Sequence, residues 1–145
     1  MKYMGLDIRP GMVVRFTDKR DKLRAAVVAA VVPDGEEPDG PSVVLVDFTS
    51  VSSYAGPPPL ILKVDTPKAA KRLSLDPKRT SYIFERDEHL HIYGVEFLDH
   101  DHEHGVGWMP AKDLKKVQTW LVNLLVHFPD NPVHKAMYEQ LMQQL

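Results

Sequence analysis

Apolar residues fall in short runs over the first hundred positions of the chain and at helical spacing after that. The longest run, Leu23–Val32 (LRAAVVAAVV), has eight Val or Ala in ten positions and stops at Pro33. Alanine favours a helix, but valines are crowded at χ1 there. The run therefore predicts a strand buried on both faces. Val43–Thr49 (VVLVDFT) is a second such run. Pro33 to Pro41, between them, is turn and loop chemistry throughout, which predicts two central strands joined by a wide hairpin. Upstream, Arg9, Pro10 and Gly11 make a turn into a first strand, Met12–Thr17, with Arg15 pointing outward. Asp18 to Lys22 is a polar loop.

Downstream, Ser50–Pro59 predicts an irregular connection whose three consecutive prolines favour extended polyproline geometry. Leu60–Asp65 predicts a fourth strand. Thr66–Lys78 leaves two readings open: a helical turn with Pro67 at its first position, or a strand over Leu73–Leu75. Thr80–Arg86 and His89–Leu98 read as a hairpin across Asp87 and Glu88, with a bulge near Gly94. Asp99–Gly107 is a polar loop. After Pro110, the residues Leu114, Val117, Leu121, Leu124, Leu125 and Phe128 recur at three- and four-residue steps, widened by Trp120 and Val126. This spacing predicts a helix covered on more than one side and stopped by Pro129 to Pro132. A final short helix, roughly 133–144, carries Val133, Met137, Leu141 and Leu145. It either caps this domain's own core or docks on another copy or a partner.

Together these elements predict a mainly β fold with C-terminal helices: a small SH3-like barrel plus one long and one short helix. Residues 1–128 would form the barrel domain with its closing helix, and 129–145 a short helical extension of the same domain.

Composition narrows the class. A chain of 145 residues makes one domain with a real core. No apolar run approaches the roughly 20 residues of a membrane span, and the first ten residues lack the apolar segment of a secretory signal. Cysteine is absent, which excludes disulfides, thiol catalysis and Cys-ligated zinc and fits a cytoplasmic protein. Net charge is −2, and its distribution says more than its sum. Residues 9–24 carry six basic groups against Asp18 and Asp21, and residues 63–79 carry six against Asp65 and Asp76. On one face they would attract a polyanion; on separate faces they are solvated loops.

Arg24 leads the candidate chemistry. A guanidinium at the head of a buried strand presents fixed donors that clamp a phosphate and stabilise charge developing on a phosphorane. The plainer alternative is an ion pair with Asp21 or Asp47. Thr49 and Ser50 end the neighbouring central strand, where hydroxyls hold a phosphate oxygen or a ribose 2′-OH, or only cap the strand. His89 and His91 lie two apart on a predicted strand, hence on one face, and either is a candidate general base. Asp99, His100, Asp101, His102, Glu103 and His104 have metal-ligand chemistry. A flexible loop with Gly105 and Gly107 makes a poor scaffold, so neither a resident metal nor another cofactor is expected.

The order of these features resembles a known family. An Arg-x-Gly opening (Arg9 to Gly11) is followed by a first strand, a polar loop and an Arg leading a valine-rich strand (Arg24 to Val28). A second apolar strand then ends in Thr49 and Ser50, and a helix resembling Lys115–Leu125 closes the pattern. This is similar to the PemK/MazF-like (CcdB/Kid-type) toxins of type II toxin–antitoxin systems, over about residues 7–128. The resemblance implies a cytoplasmic homodimer that cuts single-stranded RNA without metal, by attack of a ribose 2′-OH on the adjacent phosphate, and a cognate antitoxin that blocks it. It places the family's catalytic Arg on Arg24 and its strand-end Thr on Thr49; His89 or His91, which the resemblance does not match to a family residue, would assist. Arg15, Lys19, Arg20, Lys22 and Ser50 would contact RNA. The chain departs from the family pattern in its first loop, at Ala25 where a Pro is usual, and near His89 and His91. A non-catalytic barrel that binds a protein partner is the alternative.

Overall fold

Five strands side by side, with a helix across one face, carry most of the buried surface. The computed structural model describes residues 2–3, 6–17, 20–32, 42–50, 59–86, 89–94, 98, 107–126, 135, 138–139 and 141–143. In chain order the elements are β1 (Lys2–Tyr3), β2 (Leu6–Asp7), β3 (Met12–Thr17), β4 (Leu23–Val32), β5 (Ser42–Asp47), β6 (Leu60–Val64), α1 (Pro67–Arg72), β7 (Ser81–Phe84), β8 (Leu90–Gly94), β9 (Gly107–Trp108) and α2 (Ala111–Val126). The protein is mainly β, with every described pairing antiparallel. The main sheet runs β8-β5-β4-β3-β9; β1–β2 and β6–β7 are separate two-stranded sheets. Beyond Asp47 the chain reaches the second of these. The Thr49 N–H donates to the Tyr82 carbonyl at 2.9 Å and the Thr49 carbonyl accepts from the Tyr82 N–H at 2.8 Å.

Strand alternation divides the main sheet into two faces. Val13, Val27, Val44 and Val46 pack with Val117, Trp120, Leu121 and Leu125 of α2, and with Leu141. Phe16, Ala26, Val28, Val43 and Leu45 point the other way and pack with Ile8, Met12 and Leu98. A bulge at Ala29 keeps the two sets apart: Val28 opposes Leu45, and Ala30 opposes Val44. The extra residue leaves a carbonyl outside the ladder, and the buried Gln118 amide of α2 donates to it at 3.0 Å.

The strands over Met12–Thr17 and Leu23–Val32 fall at the boundaries their composition predicts, and α2 follows the three- and four-residue spacing. Of the two readings of Thr66–Lys78 the helix holds. The Thr66 hydroxyl accepts from the Ala69 N–H at 3.2 Å, Pro67 opens α1 and Lys71 and Arg72 close it. Leu73–Leu75 is a turn, with Ser74 at φ 56°. Arg15 is part-buried rather than outward, its guanidinium donating to the Ser74 carbonyl. Gly107 meets the same turn: a Cβ there would lie 2.3 Å from the Leu73 carbonyl carbon. In the described part of the final helix, Leu141 is fully buried in the main core and Tyr138 packs against it. That segment covers the domain's own core.

Two further expectations need correction. β7 and β8 do not form a hairpin: β7 pairs with β6, and β8 with β5. A two-residue Asp-Glu connection lacks the Gly or Asn that supplies the positive φ of tight hairpin turns. Gly94 is not a bulge either; it ends β8 in regular register with Ser42. β1, β2 and β9, of two residues each, were not expected from the sequence. No helix among the described residues is long and apolar enough to cross a membrane. The predicted loop 33–41, the prolines at 57 and 58, and the run 99–104 lie outside the described residues.

Candidate active site

The charged cluster follows from register. Ala26 pairs with Asp47 and Leu45 with His91, so Arg24 of β4, Asp47 of β5, His91 of β8 and His89 just before that strand lie together at one end of the sheet. Asp47 is the hub. Its side chain is 3% exposed, with His89 Nδ1 at 2.5 Å from Oδ1. On Oδ2 lie His91 Nε2 at 3.2 Å and Arg24 Nε at 3.6 Å. A carboxylate only accepts, so His89 donates through Nδ1–H and His91 through Nε2–H, which fixes both tautomers. Burial pushes the Asp47 carboxyl up, but the hydrogen bond from His89, then that from His91, outweighs it. The carboxyl is held below its ordinary value of 3.8.

The cluster has an inner and an outer side. His89 is buried, and its Nε2 has no hydrogen-bond partner among the described residues. His91, at 20% side-chain exposure, and Arg24, at 36%, reach solvent. The His91 ring leans on Phe16 at a centroid distance of 4.9 Å, and Phe16 opposes Arg24 across β3 and β4. A buried carboxylate thus holds two imidazoles and a guanidinium, a preorganised set able to take a proton and to stabilise a developing oxyanion.

The predicted residues distribute unevenly around this set. Arg24 and His89 are brought together. Thr49 is buried two residues beyond Asp47, and Ser50 after it is exposed. Arg20 and Lys22 are exposed in the β3–β4 turn, at the same end of the sheet as Arg24. Arg15 belongs to the contact with Ser74. Lys19 lies outside the described residues. Sequence reasoning considered Asp47 only as a partner for Arg24 and missed it as the hub. The available signal was an acid two residues beyond Leu45 within an otherwise apolar run. Among the described residues no group of three or more His, Cys, Asp or Glu is arranged to hold a metal ion. No protein-family model, no curated protein and no solved structure matches the chain.

Proposed function

We propose that the protein is a metal-independent endoribonuclease that cleaves single-stranded RNA through its own 2′-OH. The observation that supports this is the convergence of Arg24 and His91, both reaching solvent, on the buried Asp47 carboxylate. His91 takes the proton of the ribose 2′-OH, and the 2′-oxygen bonds to phosphorus as the bond to the 5′-oxygen breaks. The 5′-oxygen picks up a proton from water. A 2′,3′-cyclic phosphate and a free 5′-OH result. Arg24 stabilises the charge on the phosphorane, Asp47 and His89 position the two outer groups, and Thr49 and Ser50 orient the strand. Arg20 and Lys22 would carry phosphate contacts from the neighbouring turn. The ordered likeness to PemK/MazF-like toxins extends the proposal to a closed SH3-like barrel, a cytoplasmic homodimer and a cognate antitoxin.

Cleavage of a long single-stranded RNA in EDTA tests this. Arg24→Ala is expected to slow cutting by roughly 10²–10³-fold, and His91→Ala by a similar factor. Equal cutting by wild type and both variants refutes the assignment. The burial and mutual pairing of Asp47 and His89 favour a second reading, in which the cluster is structural and the domain binds a protein partner. No cutting by any form would select it.

A further inference from the structure

Away from the charged cluster, on the layer that carries α2, the structure has an open groove of about 460 Å³ between β6 and α2, lined along the helix from Lys112 to Asn123. Leu60, Ile61 and Trp120 give it apolar walls; Lys112, Lys115, Lys116 and Glu85 line it with charge. The lysines are exposed, and none makes an ion pair among the described residues. Their placement opposes local stability. Lys112 stands three and four residues from Lys115 and Lys116, spacings at which like charges repel, and it lies in the first turn of the helix, where the macrodipole disfavours a cation. The only acid of the first turn is Asp113. Leu60, 50% exposed, adds an unburied apolar side chain at the same place. Local rules broken together beside a concave surface mark a site whose compensation comes from a ligand.

We infer that this groove binds an acidic peptide segment of a partner protein that carries large apolar side chains. The lysines would pair with its carboxylates, and Leu60, Ile61 and Trp120 would receive its apolar residues. A peptide fits better than a nucleic acid. Trp120 is only 9% exposed and offers no open ring for a base to stack on. The inference is independent of the nuclease proposal, because the groove and Arg24 lie on opposite faces of the main sheet.

The test uses the full-length protein and a fluorescein-labelled peptide of alternating glutamate and leucine, read by fluorescence anisotropy. Wild type is expected to bind it with an affinity that falls as salt rises. The double reversal Lys115→Glu with Lys116→Glu is expected to weaken binding by roughly tenfold, and Leu60→Ser to weaken it without changing the salt dependence. These side chains are exposed, so the variants should fold with an unchanged or raised Tm and an unchanged rate of RNA cleavage. Several results would overturn the inference: no binding, equal binding of a lysine–leucine peptide, or equal binding by the reversal variant. Oligouridylate displacing the peptide, with the same dependence on the lysines, would reassign the groove to nucleic acid. Self-association of wild type that the variants lack would reassign it to a second copy.

Discussion

Alternate residues of β4 and β5 supply both faces of the main sheet, yet different physics holds each face. Toward α2, Val27, Val44 and Val46 meet Val117, Leu121 and Leu125, and burial of apolar surface does the stabilising. On the opposite face the apolar pattern of Val28, Val43 and Leu45 ends in Asp47, whose ionised carboxylate is held out of water by two imidazoles and a guanidinium. A buried ion cluster is weak evidence for stability, since desolvation offsets most of its attraction. An apolar contact tolerates approximate placement, whereas this cluster requires four groups in register. The difference teaches where to look for chemistry: on the face that accepts desolvated charge although the same strands could have continued in valine.

Removing the hub should have the largest effect. Asp47→Ala strands two imidazoles and a guanidinium, and loss of one partner from a buried ionic set costs about 3–5 kcal/mol, measurable by urea unfolding. Leu121→Ala, fully buried on the other face, should cost about 2–5 kcal/mol through its cavity. The two variants separate by pH. Because the folded Asp47 carboxyl titrates below its ordinary value, its contribution is fully present above that value and is lost as pH falls toward the lowered one. Leu121→Ala should keep this acid limb. Asp47→Asn should flatten it relative to wild type, and equal acid slopes would mean that the cluster is not coupled to folding.

The all-apolar strands were legible because β-branched runs bounded by turn residues say where a strand begins and ends without reference to its neighbours. The cluster was only half legible. Arg24, His89 and His91 stood out by residue type, but their meeting depends on β8 lying beside β5. The chain gives no local sign of that pairing, and the expectation of a β7–β8 hairpin concealed it. The bulge at Ala29 was hidden for a related reason: in a run of Ala and Val no polar alternation marks the face change.

That bulge supplies the next test. Gln118 is the polar group α2 sends into the larger core, and its amide donates to the Ala29 carbonyl. Gln118→Ala leaves a buried acceptor unsatisfied and should cost about 1–3 kcal/mol, less than Leu121→Ala at its upper range. A cost near zero would mean that water replaces the amide and that the bulge is held by the ladder alone.

Arg24→Ala should have the smallest effect on stability, and for that reason it sharpens the comparison most. Arg24 is the outermost member of the cluster, 36% exposed and 3.6 Å from Asp47, too far for a hydrogen bond. Solvent screens such a pair, so its loss should cost at most about 1 kcal/mol, and His89 and His91 would still hold the carboxylate. If the cluster exists for chemistry, this variant melts close to wild type yet loses most of its RNA cleavage. If the cluster exists for the fold, cleavage is absent from both proteins, and Arg24→Ala is simply one more mildly destabilised surface variant. A large loss of stability would contradict both expectations, because it would make Arg24 the group on which Asp47 depends.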